Sequence, residues 1–501
     1  MSIKNFAWLK KLDCWLLMAV IMSSSATVLS QESLTLERAL AIAMANSPQI
    51  RTYQLNLERR QQLLNAQQAG LKSQFGLTLN PIDYANQRRF YNFLGSYVTS
   101  ETRRTSGTFS IRQPIKWTDG TLTLINEFSW IDSYNEERNL KSKNYNNDLY
   151  LSFTQPIFTY NRTKMQLRQL ELDLENAALN YAIQKLYLEY QVTQNFFNVY
   201  QQKMRLEIAK DEYNNREQSY QIIKNKVDAG LSRQEDLFQA ELNLAESKSA
   251  VQNAQVALEN YLDSFKKLIG MSLFADITVT ADISHQPVDI DLQKALDTGL
   301  QHRMELRQRQ ISVDMEKYSL IVASATNEFR GDISLSYGIT GTDKNFRQIY
   351  ESENQTKNER ISVELNIPLW DWGQKKSSIK AAEASLKNAE LSLENEKTDI
   401  MIEIRNAYRN LKNLVTQIEI AEQNLRNAQL TYDINLERYK NGDLTSMDLN
   451  LFQNQLSQAK LNKISALINY KIELLNMKVL SLWDFERNQQ VVPEEIAAEK
   501  N

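Results

Sequence analysis

A ladder of residues recurs in this chain at a fixed offset of 212 positions. Gln-Pro-Ile-Phe at Gln155 to Phe158 returns as Ile-Pro-Leu-Trp at Ile367 to Trp370, and Tyr220, Gly230, Asp236 and Leu237 return as Tyr432, Gly442, Asp448 and Leu449. Insertions are cheap in surface loops but displace every side chain on a packed helix, so unchanged spacing predicts long rods held in register by their neighbours. An earlier part of the repeat has its own offset of 256: Leu36, Ala39, Leu40, Ile50 and Arg51 return as Leu292, Ala295, Leu296, Leu306 and Arg307. The first copy is therefore 44 residues longer ahead of its Pro anchor, and the excess is expected to be strand or loop, not helix.

The chain of 501 residues has only 13 Gly and 7 Pro, so turns are few. Its 58 basic and 61 acidic residues are mixed, which points away from a nucleic-acid binder or a disordered tail. Residues 1–30 read as a secretory signal peptide, with Lys4, Lys10 and Lys11 ahead of an apolar stretch from Trp15 to Met22 and small residues after it. That stretch falls short of the roughly 18 apolar residues a membrane anchor needs. Cys14 is the only cysteine, so the mature chain is expected to be cysteine-free, without disulfides, at a net charge of −5 once three Lys and Asp13 leave a chain of −3.

The mature sequence divides at 31–287 and 288–482, followed by a tail at 483–501. Each copy opens with helix-forming sequence, the first interrupted at Pro48. Alternating β-rich sequence follows at about 74–158 and 331–369; its strand candidates are 75–79, 107–112, 121–130, 148–154, 332–337 and 360–366. Two unlike faces are predicted, one to pack on a core or on lipid. A helical hairpin then runs over about 163–269, with its tip at 229–233, and over about 375–482, with its tip at 441–446. The long arm of each has some 65 residues without Pro or Gly, about 100 Å as helix.

The last helix carries two stripes. Leu449, Phe452, Leu456, Ala459, Lys463, Ala466, Tyr470, Glu473, Met477 and Leu480 follow alternating steps of three and four. A second stripe includes Met447, Leu451, Leu461, Ile468, Ile472, Leu475 and Val479 on another face. A two-stranded coiled coil uses one stripe, whereas a ring of helices uses both.

The sequence resembles the TolC family of bacterial outer-membrane efflux proteins over essentially all of the mature chain. The resemblance rests on Leu34-Thr-Leu-Glu-Arg-Ala-Leu, Phe153-Thr-Gln-Pro-Ile-Phe, Leu365-Asn-Ile-Pro-Leu-Trp-Asp-Trp-Gly and Glu437-Arg-Tyr-Lys-Asn-Gly-Asp-Leu-Thr-Ser-Met-Asp-Leu. It implies an α+β fold of two internal repeats, in a homotrimer whose subunits each add four strands to one shared 12-stranded barrel and four helical columns to a periplasmic tunnel. Such a protein is an outer-membrane exit duct, working with a periplasmic adaptor protein and, indirectly, an inner-membrane RND or ABC pump. Physics concurs that a few strands cannot close a barrel alone and that bare edges are not tolerated in lipid. This chain departs from the pattern in offering up to four strand candidates in its first copy, where the resemblance implies two.

The resemblance also implies a gate at the periplasmic mouth, matched by Asp236, Tyr439 and Asp448. An Asp-to-Tyr hydrogen bond would tie hairpins there, and a ring of like charges would attract cations. The expected adaptor-docking tips are Gly230, Leu231, Ser232, Gly442, Leu444 and Thr445. Leu444 and Leu451 stand where the family gate has an arginine and a second acidic ring, so the closing network must differ in part. An ordinary helix-capping role for both aspartates remains open beside the gate reading.

Trp117, Trp130, Phe158, Trp370 and Trp372 fall near strand ends and are expected to form an interfacial girdle. His285 and His302 have no companions at metal spacing, and no GxSxG, HExxH, phosphate-binding or dinucleotide motif occurs, so no cofactor, metal or catalysis is expected. Asn161-Arg-Thr163 and Asn354-Gln-Thr356 match glycosylation acceptors, triplets that are frequent by chance. A structural coiled-coil protein without a pore is the alternative function.

Overall fold

The structure is a computed structural model describing residues 32–491 apart from 93–94, 137–138, 284–286 and 442. The signal peptide, His285, Gly442 and the tail beyond Val491 lie outside the described residues. A short strand β1 (Glu32–Leu34) leads into α1 (Leu36–Asn46) and α2 (Pro48–Gly70). Four strands follow: β2 (Gln74–Tyr91), β3 (Ser96–Ile115), β4 (Gly120–Asn135) and β5 (Leu140–Ile157). Then come α3 (Arg162–Asp228), α4 (Gln234–Ile269) and the short β6 (Ile277–Val279). The second copy has α5 (Leu292–His302), α6 (Met304–Ser324), β7 (Arg330–Asp343), β8 (Gln355–Asn366), α7 (Gln374–Asn441) and α8 (Ser446–Ser481). A small ribbon of β9 (Trp483–Asp484) and β10 (Gln489–Gln490) follows.

Element boundaries repeat with the offsets of the sequence. Helices α5 and α6 begin 256 positions after α1 and α2, and α7 and α8 begin 212 after α3 and α4. Between them the first copy holds one additional hairpin, β2–β3, which accounts for the 44-residue excess. All six strand candidates lie inside strands, yet the strands run well past them.

Contacts divide the chain into two compact units. One gathers the described part of the chain up to Arg51 with Gln184–Ala295 and Ile404–Val491; the other gathers Thr52–Ile183 and Leu296–Glu403. In the first unit, α1 starts at Thr35, whose hydroxyl caps the Arg38 amide, and β1 pairs in parallel with β6. Its core includes Phe196, Phe265, Ile269, Tyr470 and Met477, and the Tyr470 hydroxyl accepts the Val288 amide at 3.1 Å. Gly270 ends α4 at φ +72°, and a Cβ there would lie 2.3 Å from the Asn46 carbonyl oxygen. Only glycine lets the end of α4 approach the end of α1 so closely.

The second unit contains one six-stranded antiparallel sheet in the order β2-β3-β4-β5-β7-β8. Residues opposite one another across strands share a face. One such row is Phe75, Ile111, Leu124, Leu151, Tyr337 and Glu359; the row on the opposite face next to it is Arg112, Thr123, Ser152, Ser336 and Arg360. Thus one face is mainly apolar and the other polar over all six strands. Many of the apolar side chains are left exposed, with Leu77 at 67% and Ile361 at 78%, while Phe346 packs on Phe128 and Tyr145. Among the described residues no helix is long and apolar enough to cross a membrane.

Trp117, Phe158, Trp370 and Trp372 are exposed where the strands meet the helices, and the two tryptophans of the second copy meet edge to face at 5.6 Å. Trp130 departs from the expectation, since it lies inside β4, in a row with Tyr145. The Asn161 acceptor triplet has a structural role: its side chain accepts the Lys164 amide at 2.7 Å, as a helix-capping residue does, and donates to the carbonyls of Lys116 and Trp117. The corresponding start of α7 uses Asp371, whose carboxylate accepts the amides of Lys375 and Gly373, each at 2.9 Å. These amides, Lys375 first, hold its pKa below the usual carboxylate value.

Candidate functional site

The expected gate residues gather at the turns where α3 meets α4 and α7 meets α8. Helix α3 unwinds at Gly230, with φ +73°, and the Leu231 amide returns to the Lys226 carbonyl at 2.7 Å. This closure satisfies late carbonyls of the helix and leaves Leu231 78% exposed. On the second hairpin the Asp443 amide bonds the Arg438 carbonyl at 2.9 Å, the same six-residue closure. Ser232 and Leu444 are half-buried, while Thr445 is exposed.

Both aspartates sit in the third position of their helices, where a carboxylate meets the positive end of the helix dipole. Asp236 accepts the Arg233 amide at 3.2 Å, and Asp448 accepts the Thr445 hydroxyl at 2.6 Å. Thr445 also receives the Asp448 amide at 3.2 Å, completing a reciprocal cap. The capping role left open by the sequence is therefore filled at both positions. Both carboxylates are exposed, so capping leaves each of them oxygen lone pairs for another donor.

Tyr439 is different in kind. It is buried in the last turn of α7, and among the described residues its hydroxyl finds no hydrogen-bond partner. Burial, reinforced by the charge of Asp236, raises its phenol pKa above the ordinary value. The Lys226 ammonium lies 5.5 Å from the ring centroid. The structure thus sets Lys226 over the ring of Tyr439 and lets the charge of Asp236 reach its phenol, while Asp236 and Asp448 are each engaged in the cap of their own helix.

Farther from the turn lies a buried polar group that sequence reasoning missed. Arg216 on α3 is almost wholly buried; it donates to Glu212 at 3.2 Å and to Asn454 on α8 at 3.1 Å, while its Nε has no hydrogen-bond partner among the described residues. Asn435 and Gln453 are buried too. Tyr432, the counterpart of Tyr220, has its pKa raised by burial and then by Asp433, with Lys440 and then Arg216 acting the other way. An arginine amid helix-forming residues reads as a solvated position, so only the spacing to Asn454 on another helix could have flagged it.

On α8 the first stripe is largely inside, with Leu449, Leu456, Ala459, Ala466, Tyr470 and Met477 buried. The second is uncovered toward the turn: Met447 is 77% exposed and Leu451 is 54% exposed. Phe238, Leu242, Leu430 and Ile434 on neighbouring helices are uncovered as well.

The sequence profile described as outer membrane efflux protein matches residues 121–271 and 295–480. That match begins after β3, so the β2–β3 hairpin falls outside it. Among characterised proteins, the outer membrane protein TolC of Escherichia coli is 22% identical over 200 residues, covering 38% of this chain and 40% of the relative. The aligned chain thus spans well under half of that relative's length. Among solved structures, the Campylobacter jejuni CmeC outer membrane channel matches with a TM-score of 0.69 at 15% identity, over 93% of this chain and 88% of the other. The open state of the Neisseria gonorrhoeae MtrE outer membrane channel matches with a TM-score of 0.64 at 15% identity, over 89% and 88% of the two chains.

Proposed function

The chain belongs to the outer membrane efflux protein family, and from that premise we propose that it is a passive exit duct. It sits in the outer membrane with its helices in the periplasm, and receives cargo from an adaptor and an inner-membrane pump. One observation carries this reading: a sheet apolar on one face, polar on the other and bare at both edges is joined to helical arms of 67 and 68 residues. Lipid accepts such a sheet only when its edges close, and Met447 and Leu451, uncovered on α8 toward the turn, call for neighbours of the same kind. Three copies of the chain satisfy both demands and leave the polar face around a lumen. The non-channel reading has no use for a free apolar sheet face. Purified protein should run as a heat-resistant trimer in detergent and conduct in planar bilayers; a monomer without conductance would reject the duct.

The periplasmic turns are its gate and its docking end. Tyr439, buried and unpaired, supplies a hydroxyl that Asp236 can take up when the hairpins are drawn together, while Asp448 faces the axis. Single-channel conductance of Tyr439→Phe with Asp236→Ala should rise severalfold over the parent; an unchanged value would reject the latch. Adaptor contact is assigned to Gly230, Leu231, Ser232, Gly442, Leu444 and Thr445. Cysteines at Leu231 and Leu444 should crosslink to a co-expressed adaptor, and labelling confined to distant helix positions would count against it.

A further inference from the structure

We infer that the β2–β3 hairpin is part of the membrane wall, so that each subunit contributes six strands and the trimer closes an 18-stranded barrel in place of one with 12. The inference rests on the duct reading and goes beyond it. The hairpin pairs with the rest of the sheet along the whole length of β4, from Ser100 opposite Asn135 to Ile115 opposite Gly120. Up to the register shift between Asn80 and Asp83, its faces continue those of the other four strands. Phe75, Leu77 and Leu79 on β2 and Phe109 and Ile111 on β3 extend the apolar face, and Thr78, Thr108 and Arg112 extend the polar one.

The slope of the apolar band supplies a second argument. The row through Leu77 runs by way of Phe109, Asn126, Leu149 and Ile339 to Lys357, yet the apolar segment of β8 is centred on Val363. The band therefore descends six residues over the five steps from β2 to β8. With about 3.3 Å per residue and about 4.8 Å per strand, that slope is about 40°, the inclination of strands in transmembrane barrels. The hairpin lies on this incline in step with its neighbours, as a strand in the same wall must. A hairpin outside the wall would instead require β4 to exchange all of its bonds to β3 for a foreign edge, and would leave Phe75, Leu77 and Leu79 in water.

Closure then joins β2 of one copy to β8 of the next, the two edges that are bare in this chain. Continuing the same slope sets Thr78 opposite Ser362 or Glu364 across the subunit boundary. At that tilt, 18 strands make a ring about 36 Å across between backbones, against about 24 Å for 12, so the cross-section rises about twofold. The barrel would then impose little restriction on cargo, leaving selection to the periplasmic turns.

The test uses the full-length chain purified as a trimer. A cryo-electron microscopy map should count 18 strands, and a count of 12 would overturn the inference while leaving the duct intact. Independently, Thr78→Cys paired in turn with Arg360→Cys, Ser362→Cys and Glu364→Cys should give reducible chain-to-chain crosslinks on oxidation. Thr123→Cys on β4 with the same partners should give none. Crosslinks from Thr123 and none from Thr78 would place the hairpin outside the wall. A chain that remains monomeric would remove the duct reading and this inference together.

Discussion

Helices α4 and α8 each have 36 residues and begin at equivalent positions in the two copies, whereas the strand regions ahead of them differ by a complete hairpin. The contrast follows from how each element tolerates length. One residue added to a helix turns everything beyond it by about 100°, moving both stripes off their neighbours. A hairpin added to a sheet enters and leaves at the same end, so the helices on either side keep their places. Growth is thus open to the sheet in pairs of strands and closed to the rods.

The largest test of this contrast is an insertion in each region. One alanine placed after Ala421 in α7, whose side chain is buried, should abolish the trimer, while two residues placed after Asn92 in the β2–β3 turn should leave it intact on unheated gels. Equal outcomes would break the comparison. Glycine replacements come next. Gly270→Ala combines positive φ with a clash against Asn46 and should cost about 3 kcal/mol in denaturant unfolding, whereas Gly338→Ala, with no neighbour nearer than 3.7 Å, should stay within about 0.5 kcal/mol.

Smaller effects sharpen the picture at the helical end. Arg216→Ala leaves buried partners unsatisfied and should cost about 1–3 kcal/mol, while Lys387→Ala, which removes an exposed pair with Glu390, should change stability by less than about 0.5 kcal/mol. Thr445→Ala removes a side-chain cap and should cost about 1 kcal/mol, measured as a lower thermal midpoint.

The smallest effect concerns pH. The Tyr439 phenol titrates above its unfolded value, so its contribution is complete below about pH 10 and is lost as pH rises through the raised folded value. Conductance should therefore climb above pH 10 in the parent more than in Tyr439→Phe.

The rods were legible because Pro48, Gly230 and Gly270 punctuate otherwise unbroken helix formers, and the lower halves of the strands because Phe75, Leu77 and Leu79 alternate with polar residues. The upper parts of β2, β3 and β5 carry polar residues on both faces, as in Lys141-Ser-Lys-Asn-Tyr-Asn-Asn-Asp148, and so lack the alternation that marks a strand. In β2, Pro81 and the register shift between Asn80 and Asp83 also reverse which residues face which side. Asp236 and Asp448 were legible as positions but not as partners. Their caps are local, whereas the environment of Tyr439 depends on where α4 lies against α7.

The two bare edges also dictate an order of events. A single chain cannot enter the bilayer with β2 and β8 unpaired, because each free amide and carbonyl would cost several kcal/mol there. The chain must therefore meet its companions, or have both edges shielded, before its sheet enters lipid, so that assembly precedes or accompanies insertion.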